Sequence, residues 1–331
     1  MNKQEFWQNK QVLVTGASGF VGQNLLPLLS ATGCQLFAPS RTECNLLEQQ
    51  QVRNLMKETS PDVVFHLAGL SGGIMANKQY PANFCYQNLL MNTLVMHEAF
   101  CSGVEKYITL IGGCSYPANA PSPIAEESLW NGYPQPESAP YSVAKKMNVT
   151  MAEAYRTQHG FDAIVLVPGN IYGPFDNFDL QNAHVIPALL RKFYEAQVVG
   201  SEEVIVWGTG RAVRDFVYVG DVCEAIVIAA EMYSSSDIIN ISMGKQVTIR
   251  ELVESIAAVT GYEGRIQWDK TKPDGQMYKG FDVTRLHQRL GFHGQTSLAT
   301  GLQKTLTWFI ENYETARLDV PVQPEWRNQA A

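Results

Sequence analysis

Short apolar runs alternate with segments of helical periodicity along the first 170 residues of the chain. The apolar runs lie at residues 11–15, 35–38, 62–69, 106–111 and 162–167, and the helical segments lie at 21–29, 48–59, 81–102 and 141–159. Strands that alternate with helices in this way form a parallel sheet with helices on both faces. The pattern therefore predicts an α/β fold built on a Rossmann-type, doubly wound parallel sheet.

The second half of the chain has a more mixed pattern. It carries helical periodicity at residues 184–193, 248–259 and 297–312, an apolar run at 204–208, and a further helix from residue 221. We expect residues 1–170 to form the Rossmann domain and residues 171–331 to form mainly a smaller mixed α/β substrate domain. The segment 214–240 is expected to return to the Rossmann domain, and residues after about 318 are expected to form a loose tail.

A glycine-rich turn joins the first predicted strand to the first predicted helix. Its spacing is GxxGxxG, and it lets the backbone turn tightly, approach a pyrophosphate and pack the helix against the strand. The helix N-terminus supplies amide donors for phosphates. A merely tight turn is the alternative, but the strand before it and the helix after it favour a dinucleotide site. We predict that this site includes Gly16, Ser18, Gly19, Phe20, Val21 and Gly22.

The second predicted strand ends at Ser40-Arg41, where an NAD-binding unit usually carries an acidic residue. A guanidinium group suits a 2′-phosphate, so Arg41 favours NADP over NAD. A solvated surface arginine is the alternative. Ligands in such folds bind at the carboxyl ends of the strands. The cofactor-binding residues predicted at those ends are Leu67, Ala68, Gly69, Pro168, Asn170 and Ile171.

Tyr141 and Lys145 are four residues apart at the start of a predicted helix and share one of its faces. A nearby ammonium group favours the phenolate form, so we expect the pKa of Tyr141 to be lowered. A tyrosine tuned in this way can transfer a proton in catalysis. Taken alone, the spacing favours an amphipathic helix with a buried tyrosine and a solvated lysine, but the segments that precede it in the chain favour the catalytic interpretation.

The composition of the 331 residues is that of an ordinary globular protein, with 45% hydrophobic and 17% charged residues. A net charge of −7 argues against a nucleic-acid surface. No apolar run is long enough for a membrane helix, and the polar N-terminus has no apolar signal core, so we expect a cytoplasmic protein. The six cysteines and six histidines lack metal-ligand spacing, so no metal is expected. Four cations suit either a diphosphate or plain solvation: Arg191, Lys192, Arg211 and Arg214.

Several motifs together resemble the GDP-L-fucose synthase family of extended short-chain dehydrogenases/reductases. The resemblance covers about residues 10–312. It rests on the glycine loop, on the Tyr141/Lys145 pair, and on segments spread along the whole chain. These segments are Gly72-Gly73-Ile74, Tyr80-Pro81-Ala82, Gln87-Asn88, Cys114, residues 170–178, residues 184–191, Val206-Trp207-Gly208, residues 248–252, Lys272-Pro273-Asp274-Gly275 and residues 282–286.

The resemblance implies that GDP-4-keto-6-deoxy-mannose is epimerised at C3 and C5 and then reduced at C4 by NADPH. By family position, Cys114 and His184 would exchange the protons at C3 and C5. Tyr141 would protonate the C4 oxygen while Lys145 holds the nicotinamide ribose, and His184 would also contact the cofactor. The residues that would line the GDP-sugar cleft are Arg191, Lys192, Trp207, Arg214 and Lys279. The family also implies a homodimer formed through helices 81–102 and 141–159.

One position departs from the family pattern. The family reads Gly-Ser-Ser-Cys-Ile-Tyr-Pro where this chain has Ile111-Gly112-Gly113-Cys114-Ser115-Tyr116-Pro117, so its catalytic serine falls on Gly112. If strand geometry persists, 112 and 114 face one side and Ser115 the other, so Ser115 is a poor substitute. Three hypotheses remain open: an epimerase–reductase, a nucleotide-sugar epimerase or isomerase with weak or absent reduction, and a cofactor-binding regulator without turnover.

Overall fold

The computed structural model describes residues 3–316, and it confirms the doubly wound parallel sheet. Six parallel strands are ordered β2-β1-β3-β4-β5-β9 across this sheet. Chain order reverses beside β1, which creates a switch point where ligands bind in such folds. The strands are β1 (Gln11–Thr15), β2 (Gln35–Phe37), β3 (Val63–His66), β4 (Lys106–Leu110), β5 (Asp162–Pro168) and β9 (Ile239–Ile241).

Helices cover both faces of this sheet because successive strand residues point to opposite sides. In β1, Val12 and Val14 join one hydrophobic cluster and Leu13 joins the other. The first cluster lies under α1 (Lys3–Trp7), α2 (Phe20–Ser30), α8 (Val219–Met232) and α10 (Thr284–Leu290). The second lies under α3 (Gln49–Thr59), α5 (Pro81–Cys101) and α6 (Ala139–His159).

The remaining strands form two small sheets over a third hydrophobic cluster. One sheet is ordered β10-β8-β12 with β6 also paired to β8, and the other consists of β7 and β11. The strands of the first small sheet are β6 (Asn170–Tyr172), β8 (Val213–Tyr218), β10 (Gln246–Thr248) and β12 (Tyr278–Lys279). The strands of the second are β7 (Glu203–Trp207) and β11 (Arg265–Asp269). The cluster packs against α7 (Val185–Val198), α9 (Ile249–Thr260) and α11 (Leu298–Glu311).

The chain crosses between these two regions more than once. After β8 in the small sheet, α8 packs on α2 and β9 completes the large sheet. The division at residue 170 stays a prediction, and the tail expected after residue 318 lies outside the described residues. Among residues 3–316, no helix is both long and apolar enough to cross a membrane.

Two local features differ from the pattern-based expectation. The helical segments predicted from the sequence do not include residues 74–79, but these residues form a short helix, α4 (Ile74–Gln79). Strand geometry does not persist into the Cys114 segment, because β4 ends at Leu110 and Gly113–Ser115 form a 3-10 turn. The expected alternation of residues 112, 114 and 115 is therefore wrong as a geometric argument, although Ser115 does face away, buried against α6.

Candidate active site at the carboxyl ends of the strands

The glycine loop meets the end of β3 at the switch point of the sheet. Gly16 has a φ of 74°, and a β-carbon there would lie 2.5 Å from the backbone nitrogen of Ala68. A β-carbon at Gly22 would overlap the carbonyl oxygen of Gly16. Both positions therefore require glycine, and the loop backbone lies directly beside the predicted cofactor residues of the strand end 67–69.

Helix α2 begins directly after this loop and presents its first turn to the same edge. Gly19 is its N-cap and makes no side-chain cap, while Phe20 and Val21 occupy its first turn. The amide groups of such a turn suit a phosphate. Ser18 and Arg41 are both exposed, and Arg41 follows β2, the neighbour of β1. The role of Arg41 toward a 2′-phosphate stays a prediction.

Tyr141 and Lys145 lie one turn apart in the first half of α6. Burial lowers the pKa of Lys145 to about 8, and the charge of Cys114 opposes that shift. The expected effect on Tyr141 was wrong in direction, because burial and the nearby Cys114 raise the pKa of its phenol. Desolvation of the phenolate is the largest cause of this shift.

Lys145 also reaches the end of β3. A β-carbon at Gly69 would lie 3.7 Å from the Lys145 nitrogen Nζ and 3.1 Å from Asn88 Oδ1. The Asn88 amide accepts a hydrogen bond from the Leu70 backbone and donates one to it, each at 3.0 Å. Asn88 thus holds this segment beside Lys145.

A buried histidine, His66, lies at the end of β3 next to this segment. His66 is hydrogen-bonded through Nδ1 to Thr15 at 2.8 Å and through Nε2 to Asn92 at 3.0 Å. Burial and the charge of Lys145 lower the pKa of His66 to about 3. His66 is therefore a neutral packing residue that links β1, β3 and α5.

Cys114 lies where three titratable side chains converge. It interacts electrostatically with Tyr141, with Lys145 and with Lys279. A β-carbon at Gly112 would lie 3.1 Å from Cys114 Sγ and 3.9 Å from Tyr141 Cε1. A side chain at position 112 would therefore point between the cysteine and the tyrosine, which is where the missing serine hydroxyl was expected.

His184 is the N-cap of α7 and follows a loop that contacts the segment 70–73. That contact is close, since a β-carbon at Gly73 would lie 2.9 Å from the carbonyl oxygen of Asn182. His184 is exposed as a residue, but desolvation by the protein around its imidazole lowers its pKa. Its pairing with Cys114 across a substrate stays a prediction.

The predicted substrate residues surround the small sheets. Trp207 is 65% exposed at the end of β7, with the Lys272 ammonium 5.4 Å from its ring centre. Arg214 and Lys279 are partners in the β8–β12 pairing. The Lys192 ammonium donates to the carbonyl oxygen of Ile205 at 2.6 Å.

Arg191 is engaged on its own helix rather than displayed in an open cleft. Its guanidinium group donates to Glu195 at 2.7 Å and to the carbonyl oxygen of Phe178 at 3.1 Å. Asn170 similarly uses its amide to join β6 to β8, donating to the Asp215 carbonyl oxygen at 2.8 Å. Pro168 ends β5 and Ile171 pairs with Val217.

Sequence patterns missed two further contributors to this region. Asp274 accepts from the Thr209 backbone at 2.6 Å and from its hydroxyl at 2.7 Å, which fixes the loop after Trp207. Asn240 is fully buried and accepts the Tyr116 hydroxyl at 2.6 Å. An asparagine between isoleucines in a buried strand is the one sequence signal for the latter.

The fold and the site define a nucleotide-cofactor-dependent epimerase/dehydratase. The model of the NAD dependent epimerase/dehydratase family matches residues 12–242. GDP-L-fucose synthase 1 of Arabidopsis thaliana is 41% identical over 92% of this chain and 94% of its own length. The GDP-L-fucose synthase of Escherichia coli K12 is 39% identical over 93% of this chain and 99% of its own. The chain belongs to the GDP-L-fucose synthase family.

A solved structure extends this likeness to three dimensions. The GDP-L-fucose synthetase of Naegleria fowleri bound to NADP superimposes with a TM-score of 0.85 at 26% identity. The match covers 92% of this chain and 95% of that one.

Proposed function

We propose that this protein converts a GDP-4-keto-6-deoxy-sugar by epimerisation at C3 and C5 followed by NADPH-dependent reduction at C4. The single observation that carries the proposal is the convergence of Cys114, Tyr141 and Lys145 beside the glycine loop. A protein that only binds a cofactor has no use for a thiol in this position.

Epimerisation uses the acidity of hydrogens next to a ketone. The Cys114 thiolate takes the proton from the carbon, and the electron pair moves onto the 4-keto oxygen to form an enolate. His184 returns a proton to the opposite face of the same carbon, so the configuration inverts. Both side chains can exchange protons in the required way.

Reduction places a negative charge on the C4 oxygen, which Tyr141 neutralises by donating its phenolic proton. Lys145 stabilises the resulting phenolate and binds the nicotinamide ribose. Bound NADPH supplies the hydride. Because the pKa of Tyr141 is raised, the phenol is protonated when negative charge develops on the C4 oxygen.

The residues fit NADP at the proposed site. The backbone is so close-packed at Gly16, Gly22 and Ala68 that no side chain can enter the glycine loop. This loop lies directly before the N-terminus of α2. Arg41 stands at the end of β2 for the 2′-phosphate. The Naegleria fowleri relative, which is described with NADP, supports the same cofactor.

The GDP moiety would extend from this centre toward the small sheets. The exposed ring of Trp207 offers a stacking surface for guanine, and Lys192 and Arg214 supply charges for the diphosphate. Lys279 lies between this region and Cys114, and its role is developed below.

A second candidate is a nucleotide-sugar epimerase with weak or absent reduction. One observation favours it: at Gly112 no hydroxyl stands between Cys114 and Tyr141. Loss of one such donor costs about 10²–10³ in rate. Epimerisation, which uses Cys114 and His184, would be spared.

A two-subunit assembly is the expected form of the enzyme. Its support is the packed pair of α5 and α6, which exposes the apolar side chains of Tyr86, Val143 and Met147. Sedimentation equilibrium tests it, and Met147→Glu should shift a dimer toward the monomer. The cytoplasmic location expected from the sequence stays a prediction.

The deciding experiment incubates the protein with GDP-4-keto-6-deoxy-mannose and NADPH in deuterated water. Deuterium at C3 and C5 together with NADPH oxidation supports the epimerase–reductase. Deuterium without oxidation supports the epimerase alone. If neither occurs while NADPH still binds, both catalytic proposals fail for that sugar.

A further inference from the structure

Cys114 and Lys279 line the same narrow cavity, which lies behind the 3-10 turn at residues 113–115. Gln135 and Gln276 complete its polar lining, and no carboxylate is found among the described residues that line it. The cavity volume of about 10 Å³ suits at most one water molecule. Among the described residues that line this cavity, Lys279 is the one cation.

Lys279 is an ammonium group held largely out of solvent. Desolvation lowers its pKa, the charge of Cys114 opposes this shift, and Arg214 adds to it. The pair of cations Lys279 and Arg214 is set by the parallel pairing of β12 with β8. An enclosed cation beside a thiol favours the thiolate form of that thiol.

We propose that Lys279 is the positioning residue for proton abstraction: its ammonium group stabilises Cys114 as the thiolate that removes the C3 and C5 protons. This inference rests on the proposed function and gives Lys279 a role apart from the place in the GDP-sugar cleft implied by family position. Tyr141 and Lys145 interact electrostatically with Cys114 from α6, and Lys279 supplies a further charge from a separate element, β12.

A buried amide holds the two walls of the cavity together. Asn240 accepts the Tyr116 hydroxyl at 2.6 Å and donates to the carbonyl oxygens of Ile124 and Asp282, each at 3.0 Å. Tyr116 is two residues from Cys114, and Asp282 is three residues from Lys279. The Asn240 amide thereby fixes the distance between the thiol and the ammonium group.

The first test measures the thiol itself and needs no turnover. Timed alkylation with iodoacetamide at neutral pH, read by peptide mass spectrometry, gives the rate at Cys114 relative to the exposed Cys101 in the same sample. Lys279→Met should slow Cys114 alkylation about tenfold, because only the thiolate reacts. Lys279→Arg should restore most of the rate, and Lys270→Met, which removes an exposed lysine nearby, should leave it unchanged.

The hydrogen bond from the Tyr116 hydroxyl to Asn240 can be removed by a second, independent substitution. Tyr116→Phe removes one donated hydrogen bond and should bring the Cys114 rate part of the way toward that of Lys279→Met. Tyr107→Phe is the matched control, because the Tyr107 hydroxyl is buried without a hydrogen-bond partner. Equal alkylation rates of Cys114 in Tyr116→Phe and Tyr107→Phe would show that the hydrogen bond between Tyr116 and Asn240 does not position the thiol.

The second test compares deuterium exchange at C3 and C5 in the same variants. Exchange should fall in Lys279→Met and recover in Lys279→Arg. If Cys114 alkylation depends on Lys279 but the wild type exchanges no deuterium, the proposed function fails and the pairing stands. If the wild type exchanges deuterium and Lys279→Met changes only the affinity for GDP, Lys279 is a diphosphate ligand and this inference is overturned.

Discussion

A β-carbon at Gly112 would lie 3.1 Å from the sulfur of Cys114, within tight van der Waals contact. The backbone there has φ −82° and ψ 152°, an extended conformation open to any residue. The glycine is therefore not required by the backbone. It leaves the thiol and the phenol of Tyr141 as direct neighbours in the site.

We predict that Gly112→Ser raises NADPH oxidation on a 4-keto sugar by about ten- to a hundredfold, because one donor to the C4 oxygen is restored. Stopped-flow absorbance at 340 nm measures the hydride step. The matched control is Gly113→Ser, whose β-carbon would overlap the ring of Phe281 and should destabilise the fold without activating it. An unchanged or slower hydride step in Gly112→Ser would contradict the alignment of residue 112 with the family serine.

Tyr141→Phe should lower C4 reduction by about 10²–10⁴-fold, because the phenolic proton donor is lost. NADPH affinity, measured by fluorescence titration, should stay within a few-fold of the wild type. Tyr107→Phe removes a hydroxyl of equal size from a buried site away from the cofactor and should leave both quantities unchanged. Reduction that survives in Tyr141→Phe would assign the proton to another group.

The buried His66 should make the free energy of unfolding depend on pH. Its pKa in the folded protein is about 3, against about 6.5 when unfolded, so the unfolded chain binds more protons between these values. The free energy of unfolding should therefore fall as the pH drops below 6.5, by about 2 kcal/mol at pH 5 from this group alone. Urea denaturation at pH 7 and pH 5 measures it, and His66→Gln should lack this component. Equal pH dependence in both proteins would mean that His66 is protonated in the fold.

Arg41→Ala should raise the KM for NADPH about tenfold and leave the KM for NADH nearly unchanged, since only NADPH carries the 2′-phosphate. Steady-state kinetics with both cofactors on one preparation provides the internal control. A parallel rise in both KM values would show that Arg41 supports the loop rather than reads the phosphate.

The sequence predicted five of the six strands of the large sheet and the helices between them, because their apolar residues follow a clear period. Strand β9, which is only three residues long, was not predicted. Thr248 and Glu251 have the residue types and the spacing of a capping box, and both of its hydrogen bonds are present at the start of α9. Strands β10 and β12 were missed because they are only three and two residues long, with largely exposed side chains. Such strands are set by pairing with β8 and leave no period to detect.

The candidate site was predictable in its parts and less so in its electrostatics. The glycine loop and the end of β3 meet as expected because parallel strands share one carboxyl edge. The pKa of Tyr141 was predicted in the wrong direction, since its sign depends on burial that spacing does not reveal. Cys114 and Lys279 are 165 positions apart, so their shared cavity follows only from the pairing of β12 with β8.

The ring of Phe281 occupies the space above both Gly113 and Gly169. This ring imposes glycine at position 113, whereas at position 169 it shares that effect with Ser242 Oγ, which would lie 2.5 Å from a β-carbon. A serine can be introduced at position 113 only after residue 281 has been replaced by a smaller side chain, for example by Phe281→Leu. If Gly113→Ser came first, the core around Phe281 would be overpacked. The order of substitutions open to this site is therefore fixed by a residue that takes no part in its chemistry.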